Sequence, residues 1–222
     1  MDETVLLHKP VGPQYKESNN EVSMSVFFWN ALANRYSRQS IANPEAYEAK
    51  LAATRELLTP DSAVLEFGCG TGSTALLHAP LVRSVLALDS APKMIDIAKA
   101  KAEDADVQNI TFRVGTVFDA DPGPYDVVLA LNVLHLVPDM PAALRQCHDL
   151  LRPGGALVAS TACITGGWER WLLPIPGALG LLPRLQFFTT DKFLQAHTDA
   201  GFTMESITFP GSETSAFTIA RR

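Results

Sequence analysis

An apolar run, Ala63-Val64-Leu65-Glu66-Phe67, leads directly into Gly68-Cys69-Gly70-Thr71-Gly72-Ser73. Glycine carries no Cβ, so alternating glycines let backbone pass close to a ligand, and a following helix aims its free N–H groups at the same place. The dinucleotide fingerprint G-x-G-x-x-G would need its third glycine at position 73, where Ser73 stands. A P-loop is excluded because the chain contains no Gly-Lys-Ser/Thr. Asp89 closes the next apolar run, 17 residues beyond Gly72. A carboxylate there can accept both hydroxyls of a ribose, a demand shared by any adenosine-containing cofactor. The plainer alternative for Asp89 is a helix cap beside Ser90.

His135, in the segment Leu131-Asn132-Val133-Leu134-His135-Leu136, is the one histidine close to a strand end of this kind. An imidazole titrating near pH 6.5 can act as a base at neutral pH, and it can equally pack beneath the loop and bond a carbonyl. Asn132 suits contact with a cofactor better than chemistry. His8, His78, His148 and His197 have no matching acids for a metal set and are read as structural. Cys69 lies inside the glycine turn without a base placed beside it, so it is read as a space-filling thiol.

These residues need a scaffold. Residues 63–67, 85–89, 110–114, 126–131 and 156–160 are short apolar runs spaced by helical patterns, the signature of a parallel sheet covered on both faces. Ser90 and Asp139 are expected to cap the helices that follow runs two and four, and Arg152-Pro153-Gly154-Gly155 to end the second of these helices. Thr190-Asp191 opens a further helix, after which 202–209 and 216–220 read as an antiparallel pair of strands. Ahead of the sheet, residues 24–60 form a helical lead-in carrying Trp29, Ala33, Tyr36, Tyr47 and Leu51, and residues 1–23 are expected to be a loose arm.

At 222 residues, with 47% hydrophobic and 19% charged residues, the chain has the composition of a single large globular domain. Its 18 basic and 24 acidic residues give a net charge of −6, which argues against a nucleic-acid partner. Three scattered cysteines fit reduced thiols in the cytoplasm, and the first residues lack the basic and apolar regions of a secretory signal. The run 171–183 is shorter than the ~20 residues of a membrane span and contains Pro174, Pro176 and Pro183.

Glu66-Phe67-Gly68-Cys69-Gly70-Thr71-Gly72, Leu88-Asp89-Ser90 with Met94, Tyr125-Asp126-Val127-Val128 and Leu150-Leu151-Arg152-Pro153-Gly154-Gly155 occur in that order. Together they closely resemble the motifs of class I S-adenosylmethionine-dependent methyltransferases, most of all the small-molecule branch with a quinone-methylase-like core. The resemblance covers residues 24–222. It implies a Rossmann-like seven-stranded sheet in the order 3-2-1-4-5-7-6, with strand 7 antiparallel and helices on both faces. The implied cofactor is S-adenosyl-L-methionine and the implied partner a small-molecule acceptor. Gly68, Gly70 and Gly72 would then face the methionine and ribose, Asp89 and Ser90 the ribose, and Met94 the adenine. Glu66 would meet the methionine ammonium, Tyr36 its carboxylate, and Cys69, Val117 and Asn132 would complete the wall. Many relatives place an acid directly after the glycine that follows strand 3; here Thr116 occupies that position and Asp119 comes three residues later, so either can contact adenine or Asp119 can be a turn residue. The strand-4 loop lacks the Asp/Asn-Pro-Pro-Tyr/Phe motif of amino-methyltransferases. His135 is the implied catalytic base.

Residues 163–188 interrupt the chain where only a short connection is needed, with twelve large apolar residues and few charges. Three readings stand: a lid over the site, an extension of the core, or a dimer or membrane-surface contact. The lid reading implies a small, apolar or aromatic acceptor.

Overall fold

In a computed structural model of the chain, the structure describes residues 19–163, 185, 186, 188–212 and 214–222. Seven strands form one sheet: β1 (Ala63–Phe67), β2 (Ser84–Asp89), β3 (Ile110–Val114), β4 (Tyr125–Leu131), β5 (Leu151–Ala162), β6 (Thr203–Thr208) and β7 (Ser215–Arg221). Their order is β3-β2-β1-β4-β5-β7-β6, as the sequence motifs imply. β1 to β5 pair in parallel, while β7 is antiparallel to both β5 and β6. The inner strands are apolar on both faces because both are covered. Leu65, Val128 and Leu157 point into one core with Leu144 and Phe193, whereas Val64, Val127 and Val158 point into another with Ala75 and Ile95.

The helices are α1 (Asn19–Ser37), α2 (Pro44–Arg55), α3 (Ser73–His78), α4 (Pro92–Asp104), α5 (Met140–Leu150) and α6 (Thr190–Asp199). Asn43 caps α2 by accepting the Ala46 N–H at 2.9 Å, with Pro44 supplying a first-turn residue that needs no donor. Asp139 caps α5 in the same way, through the Ala142 N–H at 2.8 Å. Two expectations at helix starts need correction. α4 is preceded by Ala91 rather than capped by Ser90, and Thr189, one residue earlier than expected, caps α6 through the Lys192 N–H. α1 begins at Asn19, inside the stretch read as a loose arm. Residues 1–18 of that arm, and residues 164–184 and 187 of the expected lid, lie outside the described residues.

The last two sequence motifs have a structural reason. Asp126, at the start of β4, accepts the Ala63 N–H that opens β1 at 2.7 Å and pairs with Arg152 Nε at 2.5 Å. One carboxylate therefore ties together the bottoms of β1, β4 and β5. α1 lies on α4, where Trp29 and Ala33 pack with Ala91, Met94 and Ile97. This brings Tyr36 to the tops of β1 and β2.

His78, at the end of α3, is fully buried, and neither ring nitrogen has a hydrogen-bond partner among the described residues. Burial first, and Arg55 second, hold its pKa down to about 4. The unfolded chain takes up this proton near pH 6.5 and the folded chain does not, so stability falls as pH drops from 6.5 to 4. Urea unfolding at pH 7 and pH 4.5 should register a loss of roughly 2–3 kcal/mol from this group. His78→Leu should flatten that slope, and an equally steep loss in the variant would remove His78 as its source.

Candidate functional site

The strand ends deliver the chemistry. The turn after β1 holds Gly68, Gly70 and Gly72 with φ of 66°, 54° and 75°, a region that L side chains rarely adopt. The three glycines do different things. A Cβ on Gly68 would lie 2.3 Å from Val133 Cγ2, and one on Gly72 would lie 2.8 Å from both Ala98 Cβ and the Phe112 ring. Only Gly70 is open, with its nearest neighbour, Tyr36 Cε1, at 3.6 Å. Gly68 and Gly70 border a cavity of about 1110 Å³, whereas Gly72 does not. Gly72 lets α3 pack closely on α4 and β3.

Asp89 ends β2 and stands across from the turn. Its Oδ2 accepts the Gly70 N–H at 2.9 Å and its Oδ1 the Ala91 N–H at 2.9 Å. Burial raises its pKa, and these two N–H bonds oppose the rise. An ionised carboxylate offers about four lone-pair positions, so roughly one per oxygen remains open toward the cavity. Glu66, near the end of β1, is almost fully buried (3% exposed), and its Oε2 has no partner among the described residues. Burial, then the nearby Asp89 charge, push its pKa up to about 8. A buried, unpartnered acid beside a second acid is a socket for a cation.

Ser90, Met94, Thr116, Val117, Cys69 and Asn132 also line the cavity. Met94 does so while packed against α1. Tyr36 is half exposed, and its phenol is pushed up by burial and then by Asp89, Tyr47 and Glu66. Asn132 sits at φ 55°, held by its N–H to the Ser160 carbonyl at 2.7 Å and by the Ser160 hydroxyl on its Oδ1 at 3.2 Å. Thr116 and Asp119 form a capping box: Asp119 Oδ2 accepts both the N–H and the hydroxyl of Thr116 at 2.8 Å. Asp119 does not border the cavity, so of its two readings the turn residue is the one observed. Burial drives the Cys69 thiol well above its ordinary pKa, in keeping with a space-filling role.

The Nδ1 of His135 lies 3.1 Å from Thr161 Oγ1 on β5, its carbonyl accepts the Gln186 N–H at 2.7 Å, and its ring does not border the cavity. Burial lowers its pKa. This geometry resembles the reading in which the ring packs beneath the loop, with the Thr161 hydroxyl in place of the carbonyl named there. Among the described residues no histidine lines the cavity.

Sequence reasoning missed part of the wall. Tyr47, Lys50, Leu51 and Thr54 line the cavity from α2, and the spacing of 3, 1 and 3 places all four on one face. That spacing was legible, although only Tyr47 and Leu51 were read from it. Ser160 and Ser215 line it from β5 and β7, and no local signal marks either.

A family described as a methyltransferase domain matches residues 37–207. Among curated proteins, the ubiquinone biosynthesis O-methyltransferase of Xanthomonas campestris pv. campestris (strain B100) is 38% identical over 105 residues. That match covers 46% of this chain and 44% of the relative, so it spans less than half of the relative's length. Among solved structures, an S-adenosylmethionine-dependent methyltransferase from Mesorhizobium loti superposes with a TM-score of 0.64 at 22% identity, covering 78% of this chain and 98% of that one. A geranyl diphosphate methyltransferase in complex with SAM gives 0.67 at 15% identity, covering 78% and 84%. At these identities the two structures establish a shared fold.

Proposed function

Since the chain belongs to the methyltransferase-domain family, we propose that it transfers a methyl group from S-adenosylmethionine to a small, apolar or aromatic acceptor. The observation that carries this reading is the pair of acids, Glu66 and Asp89, at the ends of adjacent strands β1 and β2 and facing one cavity across a glycine turn. They match the two distinguishing groups of the donor. The free positions on Asp89 suit the two hydroxyls of a ribose, and the orphaned, buried Glu66 suits an ammonium. Met94 and Val117 offer apolar surface for the adenine, and Tyr36 closes the side opposite Gly70.

The donor, when bound, supplies a methyl group on a sulfonium, an electrophile that needs no further activation by the protein. The residues of this chain then have to hold an acceptor atom in line with that methyl and keep water out. With His135 behind the wall, the described residues provide shape and charge rather than an imidazole base. The acceptor proton is then given up to solvent, before the acceptor is enclosed or after the methyl has been transferred. The cavity exceeds the about 300–1,000 Å³ of a common small-molecule pocket, which leaves space for an acceptor beside the donor.

Two residues ahead of α6 belong to this proposal as part of the cavity's rim. Leu185 and Gln186 line the cavity, and Gln186 Nε2 donates to the Pro138 carbonyl. The Xanthomonas relative, an O-methyltransferase of ubiquinone biosynthesis, supports an apolar or aromatic acceptor. Cytoplasmic residence is part of the same reading. Three buried free thiols suit a reducing compartment, and no described helix is long and apolar enough to cross a membrane.

Calorimetry tests the donor. The protein should bind S-adenosylmethionine and S-adenosylhomocysteine and show no heat with NAD. Asp89→Asn, which retains one acceptor oxygen for the loop, should weaken binding about 10- to 100-fold, the range for losing charge-assisted hydrogen bonds. Donor affinity unchanged in Asp89→Asn would remove this carboxylate from the site, and a protein that bound NAD in place of the donor would overturn the reading.

A further inference from the structure

Lys50 is a cation with no obvious purpose in donor binding. It lies on the cavity face of α2, partly buried, and its Nζ donates to Ser215 Oγ at 3.4 Å. Among the described residues no carboxylate pairs with it. An ammonium drawn out of water and left without a counter-charge is costly, and the deficit is removed when a ligand brings an anion. Burial is what lowers its pKa, whereas Tyr36 responds to both Asp89 and Glu66.

Its place in the sheet separates it from the donor acids. Ser215 opens β7, and the order β1-β4-β5-β7 puts three strand spacings, roughly 14 Å, between that strand and the one bearing Glu66. In the donor, carboxylate and ammonium share one carbon, so an ammonium seated on Glu66 keeps its carboxylate near β1. The surroundings of Lys50 are mixed. Ser212, Ser215 and Ser160 bring hydroxyls, and Ile41, Leu136 and Leu185 bring apolar surface to the same cavity.

Building on the methyltransferase reading, we propose that the acceptor is an amphipathic acid, whose carboxylate or comparable anionic group is held by Lys50 and Ser215 while its apolar body fills the space toward Asn132 and Leu136. The reacting atom is then distant from the anionic group. The anion is a handle that fixes orientation, and Lys50 is a specificity-determining residue. The apolar-acceptor expectation is thereby narrowed to an apolar body that ends in an anion.

Matched probes test this without knowledge of the natural acceptor. Straight-chain acids of six to twelve carbons and the corresponding primary alcohols, together with 4-hydroxybenzoate and its methyl ester, are titrated into protein saturated with S-adenosylhomocysteine. Binding is followed by calorimetry in wild type, Lys50→Met, Lys50→Arg and Ser215→Ala. At least one acid should bind at least tenfold more tightly than its uncharged partner. Lys50→Met should erase that preference, Lys50→Arg should restore it, and S-adenosylhomocysteine affinity should stay within twofold throughout. Thermal unfolding of each variant checks that it is folded, and Lys50→Arg keeps the test informative if Lys50→Met is not.

Three results would overturn the proposal: equal binding of acids and neutral partners, no binding of any probe, or a loss of donor affinity in Lys50→Met as large as its loss for acids. The last would assign Lys50 to the donor's own carboxylate. A Lys50→Met protein that loses stability with probe preference unchanged also defeats it. Wild type that fails to bind S-adenosylhomocysteine at all would instead defeat the donor reading, and the two failures are told apart by that first titration.

Discussion

Glu66→Gln should stabilise the ligand-free protein at alkaline pH while weakening donor binding by one to two orders of magnitude. The folded protein holds this carboxyl protonated up to a pKa of about 8, far above the 4.5 of an unperturbed glutamate, because its burial disfavours the charge and Asp89 adds repulsion. A raised folded pKa contributes stability that is fully present below the unfolded value and is lost as pH rises through 8. The complete loss is roughly 3–5 kcal/mol, of which Glu66→Gln should recover most at pH 9. Chemical unfolding of both proteins at pH 5 and pH 9 measures it: similar at pH 5, with the variant ahead at pH 9. The functional counterpart is that binding an ammonium requires Glu66 to ionise. Donor affinity should therefore rise between pH 6 and 8, with on the order of one proton released at pH 7, seen as a buffer-dependent heat. Neither effect should survive in Glu66→Gln. A wild-type affinity independent of pH over that interval would mean that Glu66 does not meet the ligand's cation.

Glu66 also illustrates what could be read from the sequence. Its identity, its position before the glycine turn and its placement beside Asp89 follow from a local strand–turn–helix pattern, and the sheet order follows from the succession of such patterns. What is local is legible: Asn43-Pro44 and Asp139 make the caps their types prescribe. Ser90 fails as a cap because Pro92 carries no N–H and the Lys93 N–H donates instead to Asn30 Oδ1 of α1 at 2.9 Å. Features decided by distant partners were not legible. His135 turns to Thr161, 26 residues away, and Lys50 meets Ser215, 165 residues away. Neither pairing leaves a trace in spacing, because the first depends on how β4 and β5 align and the second on the register of β7 against β5.

The glycine turn gives the other large effect, and it separates three residues that the motif presents as equivalent. Gly72→Ala and Gly68→Ala should each cost about 2–5 kcal/mol, combining the 1–2 kcal/mol of a left-handed alanine with the 1–3 kcal/mol of overpacking. At Gly72 the new methyl meets Ala98 Cβ and the Phe112 ring, both anchored in buried elements; at Gly68 it meets the Cβ and Cγ2 of a β-branched valine, which cannot swing aside. Gly70→Ala pays the backbone cost alone, about 1–2 kcal/mol, since only Tyr36 Cε1 is near. Its methyl enters the cavity beside the N–H that Asp89 holds, so its damage should fall on the ligand. In urea unfolding the order of destabilisation should be Gly68 and Gly72 well ahead of Gly70. In donor titrations at a temperature where all variants are folded the order should invert, with Gly70→Ala weakest in binding and Gly72→Ala close to wild type. Strong loss of donor affinity in a folded Gly72→Ala protein would return Gly72 to the binding wall and show that the close packing of α3 on α4 is not its main task.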